Sequence, residues 1–263
     1  MARTFRTAVV TGASSGIGNA IARQLLEAGT SVAILARRTD RLERLAKEFP
    51  GGGEKGKAIS ISADVTDPST LASAALEVDR EMSEGIDLLV GGAGLGYVGP
   101  ATGITAGEYR LMFETNVLGL IETVRAFLPA VERRKGTIAA LSSLAGRIGS
   151  PGMAGYCSTK FAVHGFLDSL RFELHDAGVA VVEICPGAVD TELFGGRASR
   201  EKFSGGARLL GELDINMVAR KAIRAAERRS ARVTIPRLAG FIAWTNDAMP
   251  SIARPIQRII ERS

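Results

Sequence analysis

Near its start the chain runs Thr7-Ala8-Val9-Val10-Thr11-Gly12-Ala13-Ser14-Ser15-Gly16-Ile17-Gly18, then continues into apolar residues at helical spacing as far as Ala28. A β-branched apolar run of strand length gives way to a turn of small residues, and the turn opens a helix. Glycine lets such a turn fold tightly and lets its backbone come close to a pyrophosphate. The helix start adds unpaired N–H groups and the positive end of its dipole. A turn of small residues also occurs with no ligand. The strand before it and the helix after it favour the binding reading.

Working outward, the same alternation repeats. Thr7–Val10, Ser31–Ala36, Lys57–Ile61, Ile86–Val90, Gly136–Leu141 and Val179–Cys185 read as strands. Gly16–Ala28, Arg38–Phe49, Pro68–Ser83, Ala106–Arg134 and Ala154–Ala177 read as helices between them. Asp67 before Pro68, and Thr105 three residues before Glu108, are helix-start signals, while Gly29 and Gly178 stand where helices end. Strands that are apolar throughout, alternating with helices, predict an α/β fold with a doubly wound, Rossmann-type parallel sheet of about seven strands, covered by helices on both faces. The Gly51–Gly53 triplet reads as a loop. After Gly187 the rhythm changes to two helical segments, a short strand near Arg232–Ile235 and a tail. The expectation is a single domain over 1–263, with 190–263 forming a substrate loop and a C-terminal cap.

Bulk composition is that of an ordinary globular chain, with 46% hydrophobic and 23% charged residues among 263. Two cysteines, Cys157 and Cys185, are too few for a disulfide framework and suit a reducing compartment. No secretory signal or membrane-length apolar run is visible, so the expected location is cytoplasmic. The net charge of +5 is spread among Asp and Glu without like-charge runs, and aromatics are only 5%, which argues against nucleic acid as a partner. His164 and His175 have no ligand partners at metal spacing, so no metal site is expected.

Tyr156 and Lys160 lie four residues apart on a predicted helix and share a face. A phenol alone is a poor acid–base group near neutrality. An adjacent ammonium stabilises its phenolate, and the pair can then exchange a proton with a substrate oxygen. Ser142 and Ser143 end the fifth strand, in the crevice where such sheets bind ligands, and a hydroxyl there can bond the same oxygen. By itself the spacing fits equally a half-buried tyrosine beside a solvated lysine.

Taken together, these segments resemble the short-chain dehydrogenase/reductase family from about Thr7 to Thr191. Thr11–Gly18 fits its T-G-x-x-x-G-x-G turn and Tyr156–Lys160 its Y-x-x-x-K. Ser143 stands thirteen residues before the tyrosine. Asn116 fits the family's helix asparagine, Asp64-Val65 the adenine-contacting pair, and Pro186–Thr191 the P-G-x-V-x-T segment. The resemblance implies a Tyr156 proton donor, a Lys160 that lowers its pKa and holds the nicotinamide ribose, a Ser143 that polarises the carbonyl, and an Asn116 that positions a relay water. It implies cofactor contacts from Gly12, Ser14, Ser15, Gly16, Ile17, Gly18, Arg37, Arg38, Asp64, Val65, Gly92, Ala93, Gly94, Pro186, Gly187, Val189 and Thr191, besides Tyr156 and Lys160. One departure stands out: Gly91-Gly92 replaces the usual Asn-Asn, which puts local rigidity and cofactor affinity in question.

At the end of the second strand Ala36 takes the slot of the carboxylate that selects NAD, and Arg37 and Arg38 follow it. That pattern implies NADP(H). The expected activity is therefore NADPH-dependent reduction of a ketone or aldehyde, or the reverse. A 3-oxoacyl thioester reductase is the alternative enzyme, and an NADPH-binding regulator the non-enzymatic one. Arg134 and Arg171 resemble the arginines that hold a carrier protein in such reductases, but arginine is common at both places. Val163, Leu167, Leu170 and Leu174 form one apolar stripe of the tyrosine helix, with Phe161, Gly165 and Phe172 opposite, implying a homodimer or homotetramer. Phe241, Ile242, Trp244, Ile256, Ile259 and Ile260 make the tail, broken by Pro250 and Pro255, apolar enough to cover the substrate pocket or a subunit contact, with a shallow membrane contact as the alternative.

Overall fold

A computed structural model describes residues 5–52, 55–194, 211–249 and Ser251. Its sheet has strands β1 (Thr7–Thr11), β2 (Ser31–Ala36), β3 (Pro50–Gly52), β4 (Lys55–Ser62), β5 (Leu88–Gly91), β6 (Thr137–Leu141), β7 (Ala180–Pro186) and β8 (Arg232–Ile235). They lie in the order β3-β4-β2-β1-β5-β6-β7-β8. All neighbours are parallel except β3 and β4, which are antiparallel. The order reverses between β1 and β5, which opens a crevice at the carboxyl ends of the strands.

The strand count is eight, where the sequence predicted about seven. Pro50–Gly52 pairs with β4 through Pro50–Lys57 and Gly52–Lys55, and is not a loop. Two glycines and a proline carry no strand propensity, so the pairing came from tertiary context that local sequence does not display.

Side chains of adjacent strand residues point to opposite faces, and each face is buried under helices. Ala8, Val10, Val32 and Ile34 face α1 (Gly16–Glu27) and α7 (Ile215–Glu227), meeting Ile21, Leu25, Val218 and Ala222. Val9, Ala33, Leu35 and Leu89 face α3 (Pro68–Glu81), α5 (Gly119–Arg133) and α6 (Ala154–Glu173), meeting Leu71, Phe127 and Leu167. Both cores are almost wholly aliphatic, so transfer of apolar surface from water is their main source of stability. Helix α2 (Thr39–Glu48) joins β2 to β3.

The local signals hold. Asp67 accepts from the Ser69 N–H at 2.9 Å with Pro68 next, and Thr105 and Glu108 cap each other reciprocally. The expected helix over Ala106–Arg134 runs continuously from Ala106 to Arg133, as α4 (Ala106–Phe113), a π turn (Glu114–Leu118) and α5 end to end. A π turn accommodates one extra residue, and such turns gather at functional sites. Asn116 sits in this one. Among the α6 residues read as two stripes, Val163, Leu167, Leu170 and Leu174 are buried while Phe161 and Phe172 are exposed, Phe172 at 82%. The final described helix, α8 (Arg237–Ala248), buries Ala239 and Ala243 and leaves Leu238, Phe241 and Trp244 exposed. Pro250, Pro255, Ile256, Ile259 and Ile260 lie outside the described residues. No helix among those described is long and apolar enough to cross a membrane.

Candidate active site

The crevice at the switch point is a cavity of about 620 Å³. Its wall includes every residue expected to contact a cofactor, from the glycine-rich turn through Arg37 and Arg38 to Thr191. Ser143, Tyr156 and Lys160 line it as well, whereas Asn116 does not.

The glycine-rich turn is held against the end of β5 by direct backbone packing. A Cβ on Gly92 would lie 2.6 Å from the Thr11 carbonyl oxygen, and the Gly92 N–H donates to Thr11 Oγ1 at 3.1 Å. At Gly91 the corresponding space is taken by Leu120, 2.4 Å from the Cβ position. The place of the family's two amides is thus filled by contact between two loops and by an aliphatic side chain, so bracing is supplied by other means.

Asn116 completes that bracing. Its Nδ2 donates to the Leu95 carbonyl at 2.8 Å and to Thr159 Oγ1 at 3.0 Å, and its Oδ1 accepts the Leu95 N–H at 2.9 Å. The buried amide clamps the loop after β5 to α6. Its Oδ1 and the Lys160 ammonium both face Gly94, whose Cβ position is 3.3 Å from the one and 4.0 Å from the other.

Ser143 follows β6 and accepts the Ala145 N–H at 3.1 Å, which fixes its hydroxyl at the start of a short 3₁₀ turn. Tyr156 comes from the first turn of α6. It is 4% exposed and packs edge-on against Phe194, with ring centroids 5.0 Å apart. Lys160, one helical turn on, donates to the Leu141 carbonyl at 2.8 Å, with its nitrogen 5.6 Å from the tyrosine ring centroid. Burial pushes the Tyr156 phenol above its ordinary value, and a hydrogen bond with Ser143 pulls the other way. This differs from the sequence expectation of a lowered phenol, because burial outweighs the hydrogen bond that favours the phenolate. Burial brings Lys160 down to about 8, opposed by the charge of the Glu183 carboxylate.

Further along the same face of α6, His164 and Asp168 join a buried ion cluster. Glu183, fully buried in β7, meets His164 Nδ1 at 2.9 Å and accepts from Arg232 Nε at 2.5 Å. Arg232 also donates to Asp168 at 3.0 Å, and Arg171 donates to Asp168 at 2.6 Å. Arg134 is engaged likewise with Asp87 at 3.1 Å. Neither Arg134 nor Arg171 lines the cavity. His164, Asp168 and Arg171 share one helix face at three- and four-residue spacing, but Glu183 meets His164 across 19 residues and Arg232 meets Asp168 across 64, so no spacing in the sequence announces the whole cluster.

Reading the sequence missed Glu192 and Phe194 on the cavity wall, where Ile242, named among the apolar tail residues, also stands. Ile242 comes from α8 with Thr245 and Asn246, which brings the start of the tail to the pocket mouth. A dinucleotide fits this site on two observations. Gly12, Gly18 and Gly92 come too close to neighbouring backbone for any side chain, which keeps the turn small enough for a pyrophosphate to approach its backbone. The Ser142 hydroxyl, buried on the wall, has no protein partner.

The short chain dehydrogenase family model matches residues 6–202, and the chain belongs to that family. Dehydrogenase/reductase SDR family member 7B of Mus musculus is 35% identical over 188 residues, which is 70% of this chain and 58% of the mouse protein. The chain thus spans under two thirds of that relative. A short-chain dehydrogenase from Streptomyces avermitilis superposes with a TM-score of 0.79 at 31% identity, covering 97% of each chain. An alcohol dehydrogenase from the archaeon Thermococcus sibiricus, complexed with 5-hydroxy-NADP, superposes at 0.75 with 29% identity over 88% of this chain and 95% of its own.

Proposed function

We propose that the protein is an NADPH-dependent oxidoreductase that interconverts a ketone or aldehyde with its alcohol. The observation that carries this reading is the convergence of Ser143, Tyr156 and Lys160 on one wall of a cavity whose other wall is the glycine-rich turn.

The cofactor, when bound, supplies the hydride. The chain's own residues do the rest. Gly12–Gly18 and the start of α1 hold the pyrophosphate, and Pro186–Thr191 the nicotinamide end. Ser143 and Tyr156 converge on the carbonyl oxygen. A buried, protonated phenol is the donor form needed for reduction, and Tyr156 gives its proton to the developing alkoxide. Lys160, held near neutrality by burial, restores that proton through its place beside the ring. Asn116 holds the loop and helix in register for this transfer. A non-enzymatic binder would have no use for such a set.

For the cofactor choice, the supporting features are Ala36 in place of a carboxylate and the two arginines beside it. We assign α8 (Arg237–Ala248) to a cap over the substrate end, on the strength of Ile242, Thr245 and Asn246, while α7 and β8 belong to the body of the domain. The exposed Phe161 and Phe172 face suits a second copy of the chain.

The test is a panel of short ketones, a steroid ketone and an acyl thioester followed at the NADPH absorbance. Tyr156→Phe should lose at least about a hundredfold in rate while binding NADPH as before. Retention of more than a few per cent of the rate would remove Tyr156 from the mechanism.

A further inference from the structure

At the adenosine end of the cavity, two arginines from β2–α2 face one carboxylate from a distant part of the chain. Arg38 Nη1 donates to Glu192 Oε2 at 2.6 Å, and Arg41 Nη1 donates to Oε1 at 2.9 Å and Oε2 at 3.0 Å. The rest of the Arg38 guanidinium lies over the glycine-rich turn. Its Nε and Nη2 donate to Ser14 Oγ at 3.2 and 3.0 Å, and Nη2 donates to Ser15 Oγ at 2.7 Å. Hydrogen bonds from Arg38 and Arg41 hold the Glu192 carboxyl below its ordinary range, so it is an anion at neutral pH. The neighbouring Arg37 is turned towards Asp64 at 3.7 Å.

We propose that Glu192 stands where the cofactor's 2′-phosphate belongs, and that carboxylate and phosphate compete for Arg38 and Arg41. This rests on the NADPH reading above and adds to it. An N–H that bonds a carboxylate oxygen at 2.6 Å cannot at the same time bond a phosphate oxygen. A dianion placed beside an unmoved carboxylate is also repelled by it. Glu192 therefore lowers the advantage that the arginines give a phosphorylated dinucleotide. It acts as a specificity-determining residue that works against its own arginines. Its side chain is 53% exposed, so replacing it leaves the fold intact.

The experiment is calorimetric titration of wild type, Glu192→Gln and Glu192→Ala with adenosine 2′,5′-bisphosphate and with AMP, which differ only in the 2′-phosphate. Releasing one or two exposed ion pairs should tighten the bisphosphate by about three- to tenfold in both variants and leave AMP within about twofold. The gain should shrink as salt is raised. Bisphosphate affinity that is unchanged or weaker in both variants overturns the competition. A wild type that prefers the bisphosphate but does not respond to substitution overturns it and leaves the NADPH reading standing. A wild type indifferent to the 2′-phosphate, with variants that select it, removes the NADPH preference and upholds the competition.

Discussion

Gly12 and Gly92 meet backbone to backbone at the switch point: a Cβ on Gly12 would lie 2.6 Å from the Gly92 carbonyl oxygen and 2.7 Å from the Ala93 nitrogen. Gly12 also sits at φ 67°, in the left-handed region. Two independent costs therefore fall on any side chain there, one from the backbone conformation and one from the collision.

Gly12→Ala should accordingly destabilise the protein by about 2–4 kcal/mol and weaken dinucleotide binding, since the turn must move away from the loop after β5. Denaturant unfolding and a fluorescence titration with NADPH check both effects. A variant with wild-type stability and affinity would mean the two loops part without cost.

Cofactor preference should follow the end of β2. Ala36→Asp with Arg37→Ala restores a carboxylate for the ribose hydroxyls and removes one guanidinium. A charge-assisted contact contributes about 1.5–3 kcal/mol, so the ratio of NADPH to NADH affinity should fall by about ten- to a hundredfold. Parallel titrations of both cofactors into wild type and variant measure it. An unmoved ratio would leave the assignment of Arg37 without support.

Acid should unfold the protein partly through Glu183. Burial alone would raise its carboxyl, but hydrogen bonds from Arg232 and His164, and their charges, hold it below its ordinary 4.5. The unfolded chain then takes up the proton first as pH falls. Stability from this group is present above about 4.5 and is lost on going down towards the lower native value. Glu183→Gln should flatten stability against pH below that point. It should also cost about 3 kcal/mol at pH 7, because Arg232 loses its buried partner. Urea unfolding across pH 3 to 7 distinguishes this from a simple packing loss, which would shift the curve without changing its slope.

Much of the fold was legible because its determinants are local. The strands are apolar on both faces, and their boundaries match the observed ones within a few residues. The caps at Asp67 and Thr105 depend on residues two or three positions away. The site was legible where a turn or one helix face fixes it, as with Gly12–Gly18 and Tyr156–Lys160. What escaped depends on distance along the chain. Glu192 faces Arg38 from 154 residues away, and Glu183 meets Arg232 across 49. Asn116 was singled out, but its bonds to Leu95 and Thr159, and the π turn that carries it, follow from packing between elements. The expectation of a lowered phenol took no account of burial, which follows from packing between elements and raises the phenol.

The short β3 strand has a bearing on how copies of the chain can meet. It is exposed along its length, consists of Pro50, Gly51 and Gly52, and forms one edge of the sheet. A foreign strand arriving there would find a residue without an N–H and two glycines whose ordering costs more entropy than any other residue's. Edges this brief and this poor in pairing groups resist templated growth. Over the stretch of β4 that it covers, β3 leaves a further strand little to pair with.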